Sequence, residues 1–503
     1  MLLLVPWITP FASGPSPAFY PWLASWGAAG LLLLFSWNSR RIGASGRARN
    51  NVWPVAWGWL LAGAISSGLG LLQYFGAAEG FELWVAKTQV GEAFANLRQR
   101  NQFASLTSIA LMALVWMCAH PPMPESSQRA GWRTAAFCFL AALLALGNAT
   151  SESRTGLLQW LLLLVLMTVA PGWANRVTRR LAILVAVVYG VAVLVLPEMV
   201  SAGNPSNGLV DRLLAGDAEC ASRLTLWSNI LHLIAQKPWL GWGWGELDYA
   251  HYITLYDGPR FCDILDNAHN LPLHLAVELG VPVAALVCCG FLWWVIRQKP
   301  WKETDATRQM AWAVMAVILL HSMLEYPLWY GPFQMAFGLC ILLLWRRAPA
   351  DLSGHAGDER VWPSGVWFRY RLVAGVLILA SCAYAAWDYH RISQLYLSPA
   401  ERSPSYRENT LEKARASWLF RNQVLFAELS ITPLTRANAQ WTYDVSQQLL
   451  HFSPEPRVIE KVIESATMLG RDDEAMAHLA RFRAAFPADH AKWSMTAGST
   501  AGL

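Results

Sequence analysis

The first candidates for chemistry lie in one stretch, Asp266-Asn-Ala-His-Asn-Leu-Pro-Leu-His-Leu-Ala-Val-Glu-Leu-Gly280, where a polar segment meets a strongly apolar one. It contains His269, Asn270, His274 and Glu278. Polar and titratable groups are costly at a membrane boundary and by default mark a functional site there. A neutral His269 could take a proton from a hydroxyl as a general base, or it could only cap the following helix. His274 and Glu278 either pair with each other, or Glu278 orients a catalytic group.

Arginines occur at similar borders between polar and apolar segments. Asn96–Phe103 contains Arg98, Arg100 and Gln102, Ser151–Gly156 contains Arg154, and Ser222–Trp227 contains Arg223. Guanidinium groups bind phosphate and pyrophosphate oxygens in bidentate fashion. The set therefore predicts a site for a lipid diphosphate, whose charge the arginines would stabilise as it leaves. Alternatively, an arginine at a helix end only anchors the helix by reaching into the polar interface. This alternative suits Arg98 best, and it suits Arg154 and Arg223 least.

The elements that must position these groups are membrane helices. The chain has 503 residues, of which 55% are hydrophobic and 15% charged, whereas soluble domains are about 25% charged. This composition excludes a large soluble enzyme, and the net charge of +5 does not indicate nucleic-acid binding. Apolar runs predict an all-α polytopic protein with about eleven (ten to twelve) spans. They lie near residues 1–13, 20–37, 52–75, 102–119, 134–149, 155–171, 181–197, 271–296, 309–325, 331–345 and 370–387. The first is interpreted as retained, and Pro6 and Pro10 leave open whether it crosses fully.

Loop charge sets the orientation of the spans. Basic residues are concentrated near 40–49, 129–133, 176–180, 297–308 and 346–371. Such loops stay inside the cell, so the N-terminus is predicted inside, with residues 198–270 and the tail from 388 outside. The outer loops contain no Asp-x-Asp motif, and we interpret Asp263 and Asp266 as ordinary loop acids. No Cys and His spacing matches a zinc site, so we expect neither a metal nor another cofactor.

Five regions follow from this pattern. They are N-terminal membrane helices (1–197), an outer loop carrying part of the active site (198–270), C-terminal membrane helices (271–387), an outer helical domain (388–493) and a disordered tail (494–503). In the loop, Ser222 is predicted to cap a helix that ends near Gln236. Cys220 and Cys262 of the same loop either form a disulfide in an oxidising compartment or remain free. Ala475–Pro487 is typical of the second helix of one tetratricopeptide-type hairpin, so the outer domain is predicted to be small, helical and TPR-like.

These motifs together resemble the O-antigen ligase and polymerase superfamily, the Wzy_C group. The resemblance is carried by His269-Asn270 with Glu278-Leu-Gly280, by Ser-Arg-Thr at Arg154 and by Arg-x-x-Leu-Trp at Arg223. Asn96–Phe103, Glu325-Tyr-Pro-Leu-Trp-Tyr330 and the helical tail are similar to the PglL-type bacterial protein O-oligosaccharyltransferases within it. The resemblance covers roughly residues 1–450.

The resemblance implies an inverting, metal-independent transfer of a preassembled glycan from undecaprenyl diphosphate. It places the protein in the bacterial inner membrane, with the N-terminus cytoplasmic and the active site and C-terminus periplasmic. His269 would be the base, and Arg154, Arg223 and Arg100 would bind the lipid diphosphate. Supporting roles fall to Asn270, Glu278, Arg98, Gln102 and Tyr326.

The acceptor differs between branches of this superfamily. PglL-type enzymes use a Ser or Thr hydroxyl of a periplasmic protein such as pilin, ligases use the lipid A core, and polymerases use another lipid-linked glycan. The tail and Glu325–Tyr330 favour the protein acceptor. A transporter for a lipid-linked sugar is an alternative of another class, but it would place paired charges near the midplane and show related halves. A non-catalytic scaffold is the remaining alternative.

Overall fold

The computed structural model describes residues 1–12, 14–35, 52–120, 127–170, 173, 176–200, 208–215, 219–345 and 364–500. All regular elements of these residues are helices, which confirms the predicted all-α class. The α-helices are Val5–Ile8, Phe19–Phe35, Trp53–Tyr74, Arg100–Ala119, Ser127–Thr150, Arg154–Val169, Arg176–Val200, Leu209–Ala215, Arg223–Gln236, Leu247–Ile253, Leu271–Leu279, Val281–Gln298, Ala306–Ser322, Gly331–Trp345, Ser364–Ser393, Thr410–Arg415, Arg421–Ile431, Ala439–Leu450, Pro456–Met468, Asp472–Ala485 and Pro487–Thr500. The predicted basic loop at 40–49 and most of the one at 346–371 lie outside the described residues.

Several of these helices have the length and composition of membrane spans. Within the described ranges, six are long and apolar enough: Trp53–Tyr74, Arg100–Ala119, Gln128–Thr150, Arg176–Val200, Val281–Lys302 and Arg369–Tyr396. Three shorter apolar helices are Phe19–Phe35, Arg154–Val169 and Gly331–Trp345. The protein is therefore a multi-pass membrane protein, while the count of eleven spans stays a prediction.

The first apolar run, predicted as a span, is not a membrane-crossing helix. Among its described residues, 1–12, the run contains only the four-residue helix Val5–Ile8. This helix rises about 6 Å against a hydrocarbon core of about 30 Å. Side chains bind its carbonyl groups instead. The Asn96 amide donates to the carbonyl of Trp7 at 2.6 Å, and the Trp84 indole donates to that of Ile8 at 3.0 Å. Of the two alternatives that the sequence left open, the structure therefore favours a segment that does not cross fully, and other parts of the chain hold it in place.

The eighth predicted span, 271–296, is two helices separated at Gly280. Leu271–Leu279 ends at this glycine, whose φ is +85°, and Val281 begins the candidate membrane helix. A Cβ atom on Gly280 would lie 2.2 Å from the carbonyl oxygen of Trp239. Only glycine therefore permits this close approach, and Leu271–Leu279 stands outside the candidate span.

The chain divides into two compact units, and the first comprises residues 1–12, 16–216 and 295–384. Its centre is the helix Arg100–Ala119, in which every residue from Gln102 to Met117 is buried. The helices Trp53–Tyr74, Ser127–Thr150, Arg154–Val169 and Ala306–Ser322 pack around it. This helix is buried on all sides and mostly apolar, as expected for the centre of a helical core. It therefore gives the segments at its N-terminus a rigid base.

The second unit comprises residues 13–15, 217–294 and 385–503. Its tail helices from Arg421 to Ala485 pack in chain order around a core that includes Leu449, Ile459, Val462 and Phe482. This succession makes the tail a helical domain, although its likeness to tetratricopeptide repeats stays a prediction. Pro487–Thr500 is helical, so the disorder predicted from residue 494 is wrong for the described part of that segment.

We predict that Gly280→Ala destabilises the protein, because the added Cβ atom would meet the backbone of Trp239 and the residue would keep a positive φ. The expected cost is at least about 2 kcal/mol, measured as a lower unfolding temperature of the full chain in detergent. Gly290→Ala is the matched control, since nothing lies within 4 Å of its Cβ position. Equal unfolding temperatures for the two variants would contradict the argument.

Candidate functional site

His269 lies in a tight turn that two asparagines define. Its φ is +49°, a left-handed conformation that non-glycine residues adopt at a cost of about 1–3 kcal/mol. The side-chain oxygen of Asn267 accepts the backbone N–H of His269 at 2.9 Å. Asn270 caps the helix Leu271–Leu279, with its Oδ1 accepting from the N–H of Leu273 at 3.2 Å. The half-buried imidazole is thus fixed directly before a helix N-terminus, and Asn270 is a helix cap.

The helix that begins at Arg223 contacts this turn. Ser222 is its N-cap, as predicted, and the Ser222 Oγ accepts from the N–H of Thr225 at 3.1 Å. One turn after Arg223, the indole of Trp227 donates to the carbonyl of Ala268 at 3.2 Å. Residues four apart share a helix face. Arg223 therefore lies on the face that is bonded to the residue immediately before His269.

A disulfide holds the same region together. Cys220 and Cys262 are bonded, with their Cα atoms 5.3 Å apart, and the N–H of Cys262 donates to the carbonyl of Cys220. Asn229 adds two bonds, donating to the carbonyl of Pro259 at 3.0 Å and accepting from the N–H of Phe261 at 2.8 Å. The loop that leads to His269 is therefore tied to the start and to the middle of the Arg223 helix.

His274 and Glu278 contact each other, which is one of the two alternatives that the sequence leaves open. Their side chains are 3% and 2% exposed, and Nε2 of His274 lies 3.4 Å from Oε2 of Glu278. The other carboxylate oxygen accepts from the N–H of Gly245 at 3.0 Å. Burial raises the pKa of Glu278 to about 7 and lowers the pKa of His274 to about 4. Glu278 thus secures the Gly241–Gly245 turn.

In the first unit, Arg154 begins a helix in the same way as Arg223. Ser153 caps Arg154–Val169, accepting from the N–H of Gly156 at 2.9 Å. The preceding residue, Glu152, has a φ of +49°. The guanidinium of Arg212 donates to the carbonyl of Glu152 at 3.0 Å. Arg212 was not among the predicted site residues, because its sequence context is that of an ordinary basic residue in the outer loop.

Arg100 also begins a helix, but carboxylates already surround it. Its guanidinium forms ion pairs with Glu92 at 2.5 Å and with Glu152 at 3.4 Å. The Phe94 ring lies 5.3 Å from its guanidinium carbon. Glu92 and Glu152 therefore already balance the positive charge of Arg100, which the sequence analysis assigned to binding of a diphosphate.

A hydrogen-bond network joins three of the predicted motifs. The Glu325 carboxylate accepts from Gln99 and from Asn101, each at 3.3 Å. Asn101 in turn accepts from the hydroxyl of Ser153 at 2.6 Å. Glu325 was missed as a positioning residue, although its place at the head of Glu325–Tyr330 was the available signal. Arg98, Gln102 and Tyr326 line a cavity beside this network.

The candidates thus form two groups, one in each unit. The first unit contains Arg98, Arg100, Gln102, Arg154 and Tyr326, and the second contains Arg223, His269, Asn270, Glu278 and the disulfide. Arg100, Arg154 and Arg223 each occupy the first position of a helix. Unpaired N–H groups and the helix dipole favour anions at such positions. Within the described residues there is no group of three or more His, Cys, Asp and Glu that could hold a metal ion.

We predict that Trp227→Phe weakens the His269 turn. The ring would remain, but the carbonyl of the buried Ala268 would lose its donor, at a cost of about 1–3 kcal/mol. Unfolding of the full chain in detergent measures this loss. Trp239→Phe is the control, because the Trp239 side chain is exposed. The same unfolding temperature in both variants would show that the Trp227 bond does not hold the turn.

Three family models match the chain in separate segments. The O-Antigen ligase family matches residues 139–288, the segment that contains Arg154, Arg223 and His269. The Protein glycosylation ligase family matches residues 93–117. The family described as virulence factor membrane-bound polymerase, C-terminal, matches residues 309–500.

Two curated proteins of Acinetobacter baylyi are also similar. A ComP-specific O-oligosaccharyltransferase is 24% identical over 290 residues, which cover 57% of this chain and 50% of that protein. A general O-oligosaccharyltransferase is 25% identical over 296 residues, which cover 57% and 48%. The chain spans about half the length of these relatives, and no solved structure gives a significant match. These matches confirm the resemblance to the O-antigen ligase superfamily and to the O-oligosaccharyltransferases that the motifs indicate.

Proposed function

We propose that this protein is an inverting glycosyltransferase that moves a preassembled oligosaccharide from undecaprenyl diphosphate to Ser or Thr hydroxyls of periplasmic proteins such as pilin. The observation that carries the proposal is the bond from Trp227 to Ala268, which holds the Arg223 helix against the His269 turn. This arrangement provides a base and a cation for one displacement. The names of the curated relatives support glycan transfer to a protein acceptor.

The proposed step is a single displacement at the anomeric carbon of the first sugar. His269 takes the proton of the acceptor hydroxyl, and the hydroxyl oxygen forms the new bond to the anomeric carbon. The bond from that carbon to the diphosphate oxygen breaks on the opposite face, and its electron pair leaves with the diphosphate. The configuration is therefore inverted. The imidazole must be neutral to accept the proton.

The arginines compensate the charge that develops on the diphosphate, and no divalent ion is required for this. Arg223 and Arg154 lead this role, because each begins a capped helix whose N-terminal N–H groups favour an anion. Arg100 contributes less, since Glu92 and Glu152 already balance its charge. Arg212 and Glu325 are positioning residues for the Arg154 segment, through Glu152 and Asn101.

We place the protein in the bacterial inner membrane, with its N-terminus in the cytoplasm. The proposed periplasmic regions are the loop at 198–270, which carries part of the active site, and the helical domain at 388–493. The bond between Cys220 and Cys262 supports this orientation, because disulfides form and persist in the oxidising periplasm. Membrane helices within residues 19–197 and 281–387 would flank the loop.

We predict that His269→Ala lowers transfer at least about 100-fold, because it removes the general base. Transfer is measured as the mass increase of an acceptor protein incubated with the undecaprenyl-diphosphate-linked glycan and the purified variant. Binding of the lipid donor should persist. His232→Ala is the control, since His232 is an exposed residue of the Arg223 helix. Full activity of the His269 variant would remove the base assignment.

A second candidate is the O-antigen ligase, which would use the same chemistry on the lipid A core. The match of residues 139–288 to the O-Antigen ligase family favours it. We predict that deletion of the gene removes glycan mass from periplasmic proteins and leaves the lipopolysaccharide ladder intact. Mass spectrometry of pilin and gel analysis of the lipopolysaccharide measure the two outcomes. Loss of the ladder alone would instead assign the ligase function.

A further inference from the structure

The first unit contains a cavity of about 360 Å³ that the proposed transfer step does not use. Its walls come from the N-terminal segment between Pro6 and Phe11, from residues 17–21, from residues 96–102 and from residues 326–333. The volume lies within the range of small-molecule sites, about 300–1,000 Å³. The segment that fails to form a first span is therefore one wall of this cavity.

A buried amide lines the cavity. Gln102 is 3% exposed, and its Nε2 has no hydrogen-bond partner among the described residues. A buried donor without a partner costs about 1–3 kcal/mol. By contrast, the side chain of Asn96 accepts from Ser66 and donates to the carbonyl of Trp7, so both ends of this amide are engaged. Gln102 is therefore the group available to a bound acceptor atom.

Aromatic rings supply flat walls. Tyr326 and Tyr330 are stacked with ring centroids 6.0 Å apart. Trp7 and Phe333 meet edge to face at 5.1 Å. The contacts between the rings hold each pair in position, so the cavity is preformed and binding needs little reordering of side chains.

The charge of the cavity comes from one guanidinium. Arg98 is exposed, has a φ of +60° and stacks on the Phe11 ring at 4.5 Å. It forms no ion pair with any described residue, and no acidic side chain lines the cavity. A guanidinium held over an aromatic ring is well placed for a bidentate bond to a carboxylate. The cavity therefore suits a neutral or anionic ligand.

We propose that this cavity binds a pyranose sugar, with a preference for one that carries a carboxylate. A pyranose presents a C–H face that packs on an aromatic ring, hydroxyl oxygens that accept from an amide such as Gln102, and an acid group that Arg98 can bind. A hydrocarbon tail would leave the Gln102 donor unsatisfied. The inference rests on the proposed function, because the sugar would be one unit of the transferred glycan.

The test is direct binding of two matched probes, methyl β-D-glucuronide and methyl β-D-glucoside, to the full chain in nanodiscs. Saturation-transfer NMR titrations give both affinities. We expect tighter binding of the glucuronide, an advantage that Arg98→Gln removes. Gln102→Leu should weaken both probes at least about fivefold, because it removes the donor. Gln128→Leu, an exposed position on Ser127–Thr150, should change neither affinity.

The variants suit this test because Arg98 is exposed and the Gln102 donor has no partner to lose in the described parts of the chain. No saturation transfer to either probe, or affinities that the Arg98 and Gln102 variants leave unchanged, would overturn the inference. The assay uses neither lipid donor nor acceptor protein, so such a result leaves the proposed transfer reaction standing. The opposite outcome is also possible. If the protein binds the sugar probes as expected but deletion of its gene leaves all glycosylation intact, the proposed function is wrong and the cavity assignment stands.

Discussion

The structure depends on one constraint: each buried polar group of this apolar chain needs a hydrogen-bond partner close to it in space. In three motifs a short polar side chain caps a helix and the neighbouring residue is the candidate for chemistry. Ser153 precedes Arg154 and Ser222 precedes Arg223, while Asn270 follows His269. The cap satisfies backbone N–H groups and also fixes the direction in which the neighbouring side chain leaves the backbone. The contacts that begin these three helices therefore also position the candidate residues beside them.

Local pattern was enough for the all-helical class and for several helix starts, because caps and apolar runs are short-range signals. Local pattern was not enough to decide whether the first apolar run crosses the membrane. Asn96 and Trp84 bind the carbonyl groups of Val5–Ile8, and nothing in an apolar run reveals such distant partners. The break at Gly280 was visible only as a glycine, since its cause is the close approach of the Trp239 backbone.

In the candidate site, too, local sequence predicts some features and distant contacts determine the others. His269, Arg154 and Arg223 could be found from the sequence, because each stands beside a capping residue within a recognisable motif. Arg212 could not, because it binds the carbonyl group of Glu152, 60 residues away. Glu325 stood in a recognised motif, but the sequence did not show that its carboxylate binds Asn101, 224 residues away. The pairing of His274 with Glu278 was one of two open alternatives, and only the position of Gly245 shows what the second carboxylate oxygen binds.

Two arginines separated by one residue show why residue type alone does not assign a role. Arg100 lies between Glu92 and Glu152, and an incoming phosphate would have to compete with both carboxylates. Arg98 stacks on an aromatic face and forms no ion pair with a described residue, so the ring lowers hydration of the guanidinium without neutralising it. The sequence ranks Arg100 as the anion ligand and Arg98 as an anchor. Among the described residues, carboxylates balance the charge of Arg100 but not that of Arg98. We therefore propose Arg98 as the better ligand for an incoming anion.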